Sequence, residues 1–271
     1  MTGDDRLDPW EGNLRRFGLD PERPPERIIA PSTPVPILNT RKRHRLPEIM
    51  DDPELDERRH LAALDGLSRI NWATRSAREV WSAITPLLEN AGDQPLRVLD
   101  IATGGGDLPI ALSKLARRHG AELSATGCDI SERALARARE RARRAGAPVE
   151  FSCVEVIQDK LPEGFDVVTC SLFLHHLDPP EVRLVLEKMR RAASRLVVVC
   201  DLRRSAQGDA LAWAGSRILS RSDVVHTDAL LSARAAYTVD ELRDLADDAG
   251  LIGAEIRRRA PYRLRLLWEK T

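Results

Sequence analysis

The chain has 271 residues, 42% hydrophobic and 31% charged, with Lys plus Arg and Asp plus Glu each numbering 42. Length and composition predict one globular domain with an embellishment and exclude a wholly disordered chain, while the charge balance removes any bulk attraction to nucleic acid or an anionic membrane. Aromatic residues at 4% leave no stacking platform for single-stranded nucleic acid. The four cysteines, Cys128, Cys153, Cys170 and Cys200, form no CxxC pair, so reduced core residues are expected and no metal site is. The opening MTGDDRLDPW lacks the basic start and apolar run of a secretory signal, and no stretch of about 18 apolar residues would span a membrane. A cytoplasmic protein is expected.

Residues 1–45, with seven prolines among charges, read as an extended arm. The basic cluster RKRHR at 41–45 is offset by the acidic DDPELDE that soon follows, which favours contact between arm and body over a nucleic-acid partner. From Asp56 to Asn90 the spacings of Leu61, Leu64 and Leu67, then of Val80, Ile84 and Leu87, predict two helices. Residues 46–92 are therefore expected to form a helical cap. Short β-branched runs follow at 96–102, 122–130, 149–156, 165–171 and 195–201, apolar on both faces, with helical segments at about 107–118, 131–145 and 179–192 between them. Such alternation predicts an α/β fold, a doubly wound and mostly parallel sheet that binds ligands at the carboxyl ends of its strands. In the helix SERALARARERARRAG, Arg133, Arg137 and Arg141 lie one turn apart, and a solvated outer face is the expectation for them. A helix at 207–219 leads into a polar segment at 220–237, and the two fall within a substrate or lid insertion at about 203–237. Thr238 and Glu241 make a capping box for a helix that stops at Gly250, and 251–258 and 262–269 are expected as final strands.

The sharpest signal is RVLDIATGGGDLPIAL at 97–112. A strand ends at Asp100, three glycines, Gly104, Gly105 and Gly106, allow a sharp turn and close ligand approach, and Asp107 opens a helix whose free N–H groups suit an anion. Asp129 ends the next strand, where a carboxylate accepts hydrogen bonds from ribose hydroxyls. An adenosine-containing cofactor follows. The dinucleotide pattern GxGxxG would need glycine at Pro109, and the Walker ending GK[ST] is absent.

These residues resemble the class I S-adenosylmethionine-dependent methyltransferases. The segment DIATGGG is similar to that family's first motif, Asp129 to its ribose-binding acid, and FDVVTCSLFLHHLDP at 165–179 to its fourth-strand segment. The HHL segment and the DLRRS strand end look most similar to bacterial small-molecule methyltransferases of the quinone and polyketide-tailoring kind. The resemblance implies a seven-stranded Rossmann-like sheet with its last strand antiparallel, occupying 93–271 behind the cap and arm. S-adenosylmethionine is the implied cofactor, held by Asp100, Ala102, Thr103, Gly104, Gly105, Gly106, Asp107, Asp129, Ile130, Val154, Glu155 and Ser171. Ala102 stands where the family usually has its first glycine, and Val154 with Glu155 where Gly-Asp often meets adenine. His175 and His176 follow the fourth strand, where the acceptor's reacting atom lies in such folds, and with His226 they are the candidates for taking a proton from a hydroxyl. Arg203, Arg234 and Tyr237 are candidates for the substrate pocket. The implied activity is methyl transfer to a small-molecule acceptor, a hydroxyl of a phenolic or polyketide-like compound, with C-methylation of a quinone-type substrate or non-catalytic cofactor binding as alternatives. Polar groups converging after the fourth and fifth strands, His175, His176, Asp201 and Arg203, favour an enzyme over a cofactor-binding relic. RNA methylation would call for a basic balance or an added RNA-binding module.

Overall fold

Runs such as FDVVTCS and RLVVVCD are rich in β-branched residues and apolar on both pleats, so they become strands only where helices cover both faces. In the computed structural model, which describes residues 42–52, 54–73, 76–89 and 94–270, they do. Strands β1 (Leu96–Ile101), β2 (Leu123–Asp129), β3 (Val149–Cys153), β4 (Phe165–Ser171) and β5 (Ala193–Leu202) are parallel, and β6 (Glu255–Arg259) and β7 (Arg263–Glu269) complete one seven-stranded sheet. Its order is β3-β2-β1-β4-β5-β7-β6, with β7 antiparallel to both neighbours.

Period-two alternation divides the core. Val98, Val167, Leu196 and Val198 point to one face, where they meet Val80 and Ile84 of α2 (Ser76–Glu89) and Leu108 and Leu112 of α3 (Asp107–His119). Leu99, Val168, Val197 and Val199 point to the other, against Val182, Leu186 and Met189 of α5 (Pro179–Ala192) and Leu242 of α8 (Val239–Asp248). All of these except the partly exposed margins of the helices are removed from water, and each such side chain contributes about 1.5–3 kcal/mol. Helix α4 (Glu132–Ala145) packs Ala142 against Ile110 of α3.

Between β5 and α8 the chain inserts α6 (Ala206–Leu219) and α7 (Asp223–Ala235), and α1 (Glu57–Ala73) lies across both through Ala63 against Val224 and Val225. The polar segment at 220–237, for which no helix was expected, is thus mostly helix. Ser222 accepts from the Val225 N–H to cap it, and Val224, Val225 and Ala233 are buried against neighbours the sequence does not reveal. Strand β3 stops at Cys153 and β6 begins only at Glu255, each shorter than expected. The Thr238–Glu241 capping box forms in both directions, at 3.2 and 2.8 Å. Of the arm at 1–45, residues 1–41 lie outside the described residues; 42–52 run as a strap over the carboxyl ends of β4 and β5, ending in a short 3-10 turn at Ile49–Asp51.

Candidate functional site

The glycine loop sits where β1 ends. Asp100, level with Gly127 and Thr169 across the sheet, is buried beneath the loop and accepts from Thr103 Oγ1 at 2.6 Å and Thr169 Oγ1 at 2.8 Å. Burial pushes its carboxyl up to about 7, against the pull of those two hydroxyls. Asp100 therefore shapes the loop from inside. Gly127 has no side chain because a Cβ would meet Thr103 at 2.9 Å. Above it, Ala102 and Gly104 adopt left-handed backbone, with φ of 50° and 53°. A non-glycine residue in that region costs roughly 1 kcal/mol or more, so the alanine in place of the family's glycine leaves local strain in the loop.

A Cβ on Gly104 would meet nothing within 4 Å, so its backbone faces open space, while Asp129 Oδ2 accepts the Gly104 N–H at 2.8 Å and Asp129 Oδ1 accepts that of Ser131 at 2.9 Å. Each carboxylate oxygen keeps a further lone pair. Beside it, Ile130 is 48% exposed, an apolar surface at the end of β2 suited to the face of a purine. Val154 donates its N–H to the Asp129 carbonyl at 3.0 Å, and the Glu155 N–H goes to Asp159 at 2.9 Å, so both line this edge. Open glycine backbone, a ribose-height carboxylate and an exposed isoleucine fit an adenosyl group. Ser171 closes β4 opposite Cys200.

Of the three stripe arginines of α4, Arg137 and Arg141 are turned onto α1 and only partly exposed, while Arg133 stays exposed. Arg133 donates to the Leu55 carbonyl at 3.3 Å, Arg137 to Asp65 at 2.9 Å, and Arg141 to Ser68 Oγ at 2.6 Å, so the stripe brackets α1. Arg141 also pairs with Asp107 and donates to the Gly105 carbonyl at 3.0 Å, and Ser68 donates to Asp107 at 2.9 Å. The expectation failed for Arg137 and Arg141 because a one-turn arginine spacing looks the same facing water or facing another helix.

The second half of the site lies after β4 and β5. Leu172 takes φ of 57° as the chain leaves β4, and a 3-10 turn at Leu174–His176 carries both histidines. His175 is buried with Nδ1 2.6 Å from Asp201 Oδ1, and Asp201 is held in turn by the N–H groups of Leu202 (2.6 Å) and His175 (3.3 Å). Burial holds His175 below the ordinary histidine value, which keeps it neutral near pH 7. His176 lies alongside, ring centroids 4.3 Å apart, with Nδ1 3.4 Å from Asp51 and 3.9 Å from Glu48. Burial opposes its charge, but Glu48 and Asp51 outweigh that and push it up to about 10. A neutral imidazole oriented by a carboxylate, next to a charged one, can accept a proton from a bound hydroxyl.

Glu48 and Asp51 come from the strap. Arg43 donates to the carbonyls of His175 (2.9 Å), Leu177 (2.7 Å) and Ala235 (2.6 Å) and stacks 4.2 Å over Tyr237, while Arg45 grips Asp178 at 2.6 and 2.9 Å. Asp228 of α7 accepts the N–H groups of Ile49 (2.9 Å) and Met50 (3.0 Å). Glu48 and Asp51 were not sequence candidates; the RKRHR cluster just before them was the available signal.

The remaining candidates stand outside the His175–His176 pair, with Tyr237 packed beneath the strap. His226 Nε2 is 2.9 Å from the Ser220 carbonyl and takes no part in the His175–His176 cluster. Arg234 donates to Asp209 at 3.2 Å, joining α7 to α6, and the Tyr237 hydroxyl donates to the Leu177 carbonyl at 2.7 Å. Arg203 donates its N–H to the Tyr262 carbonyl at 2.8 Å.

Residues 98–195 match a family described as a methyltransferase domain. The chain is 37% identical over 87 residues to the ubiquinone biosynthesis O-methyltransferase of Idiomarina loihiensis, covering 31% of this chain and 33% of that protein. It is 29% identical over 171 residues to the protein of the same name from Pseudomonas putida strain F1, covering 60% and 71%. The chain therefore spans about a third of the first relative's length and over two thirds of the second's. Among solved structures, magnesium protoporphyrin IX methyltransferase from Synechocystis PCC 6803 with bound SAH has a similar fold, with a TM-score of 0.51 at 20% identity over 72% of this chain and 84% of that one.

Proposed function

We infer, from a chain whose residues 98–195 match a methyltransferase domain, that the protein is a class I S-adenosylmethionine-dependent O-methyltransferase acting on a phenolic hydroxyl of a small molecule. The observation that carries this reading is the Asp201–His175 pair, 2.6 Å apart and buried at the carboxyl ends of β4 and β5. When bound, S-adenosylmethionine supplies an electrophilic methyl carbon on a sulfonium. The open Gly104 backbone, Asp129 and Ile130 would hold its adenosyl part, with Gly105, Gly106, Thr103 and Asp107 fixing the loop and Ser171 at its edge.

Methyl transfer is an in-line displacement, so the chief task is to hold the acceptor oxygen about 3–3.5 Å from the methyl carbon. The acceptor's proton must leave as the C–O bond forms and the C–S bond breaks. His175 Nε2 takes it, Asp201 keeps the Nδ1–H tautomer and steadies the imidazolium, and such base catalysis contributes about 10²–10⁴-fold in rate. The curated relatives carry the name ubiquinone biosynthesis O-methyltransferase, which supports an aromatic, quinone-like ring as the acceptor's core.

The test is mass spectrometry of products from a panel of catechols, resorcinols and hydroxyquinol ethers with labelled S-adenosylmethionine. A methyl on oxygen, with turnover in His175→Ala at least about 100-fold lower, is expected. A methyl on ring carbon, or full turnover in His175→Ala, would reject the O-methylation or the base assignment respectively.

A further inference from the structure

The strap places a carboxylate where the sheet and its turn supply only imidazoles. Glu48 Oε1 lies 4.0 Å from His175 Nε2 and 3.9 Å from His176 Nδ1, nearly equidistant from the two rings. It is 8% exposed and is held by Ser232 Oγ, which donates to the same oxygen at 2.5 Å. Burying a carboxylate is costly unless it is compensated, and one hydroxyl is thin compensation. The His176 imidazole offsets part of the rest, and burial still pushes the Glu48 carboxyl up to about 7.

The strap is built to keep that carboxylate in place. Arg43 and Arg45 hold the carbonyls of His175 and His176 themselves, at 2.9 and 3.2 Å, and Asp228 fixes the two N–H groups just after Glu48. The charged and titratable groups facing the histidine pair are then Asp201 from β5, Glu48 and Asp51 from the strap, and Asp228 from α7, with Arg45 against Asp51 and Asp178.

We propose that Glu48 is a positioning residue for proton transfer: delivered by the strap between His175 and His176, its carboxylate keeps the resident proton on His176 and leaves His175 free to take the acceptor's. The inference rests on the reading of His175 as base. The resident proton on His176 would make a second proton on His175 unfavourable, because two imidazolium rings would stand 4.3 Å apart. Glu48 and Asp201 offset that second charge as the acceptor's proton arrives, and it leaves to solvent after the methylated product forms. Two coupled imidazoles titrate in two macroscopic steps, and removing one facing negative charge lowers both.

The experiment combines ¹⁵N NMR titration of the imidazoles with turnover against pH. In the wild-type protein His176 should titrate at least two pH units above His175. Glu48→Gln should lower the His176 midpoint by at least one unit, move the acid limb of turnover to lower pH and cut kcat at least tenfold, with cofactor affinity unchanged within twofold. Glu48→Asp should recover part of kcat. Coincident or reversed titration in the wild type overturns the proposal without any variant, and so does Glu48→Gln with unaltered limb and kcat. If His175→Ala abolishes turnover while Glu48→Gln does not, only the role of Glu48 fails; if His175→Ala is fully active, the base assignment fails first. The donor atoms of Glu48, His175 and His176 lie within 4.8 Å of one another, so Zn²⁺ and Mn²⁺ are titrated too. Stoichiometric binding required for turnover would recast the cluster as an ion site and overturn the proton role.

Discussion

Asp100 and Asp129 stand at the ends of adjacent strands yet do opposite work. Asp100 accepts from two hydroxyls inside the protein, whereas Asp129 accepts from two backbone N–H groups at the loop's open side. The carboxyl of Asp100 is raised above its unfolded value to about 7, so its contribution to stability is complete below the ordinary aspartate value and is lost as pH rises to about 7. Asp100→Asn, which mimics the neutral acid, should therefore gain in stability on the wild type as pH rises from 4 to 8, by on the order of a few kcal/mol at most, read from melting curves. Parallel melting curves across that range would refute the burial argument. For Gly104, valine would fill the open approach and force a β-branched residue to φ near 53°. Calorimetry should show S-adenosylmethionine binding weakened by ~10-fold or more, a loss of about 1.4 kcal/mol, in a protein that still unfolds cooperatively.

Helices α1 and α4 are joined by the arginine stripe, and its last member also touches the glycine loop. Arg141 reaches the Gly105 carbonyl, Ser68 and Asp107, so one guanidinium ties the covering helix to the cofactor side of the sheet. Removing it leaves the partly buried Asp107 carboxylate without its cationic partner. Arg141→Ala is expected to destabilise the protein by about 1–3 kcal/mol and to speed hydrogen exchange in 57–73, with Arg141→Lys recovering less than half because an ammonium cannot bridge three acceptors in a plane. Exchange in 57–73 that matches the wild type would remove Arg141 from the account of how α1 is held.

Across the whole molecule, the sheet contributes the loops and the strap contributes a carboxylate fastened from outside the sheet. Arg43 and Arg45 fasten the strap to carbonyls and to Asp178, which remain in place if the strap detaches. Replacing both by alanine should lower kcat/KM for the acceptor about tenfold or more while cofactor affinity stays within twofold, since the glycine loop and Asp129 have no contact with either arginine among the described residues. Loss of cofactor binding in that double variant would mean that the two halves of the site are not separable.

Much of this was legible in the chain itself. Period-two apolar runs, three consecutive glycines after the first and an acid after the second are local signals, because the turn at Gly104 and the strand-end position of Asp129 depend on residues within a few positions of each. Placement of His175 and His176 after the fourth strand was readable for the same reason. The sequence could not say that Asp201 would lie 2.6 Å from His175, 26 residues on, because that contact is made by the parallel register of β4 and β5. Nor could it distinguish a solvated arginine stripe from one that grips Asp65, since both have the same spacing. The burial of Glu48 beside the two histidines was not legible in the sequence. Glu48 meets Ser232, 184 positions away, and only the tertiary fold carries the strap across β4 and β5, where burial among imidazoles gives an ordinary glutamate its chemistry.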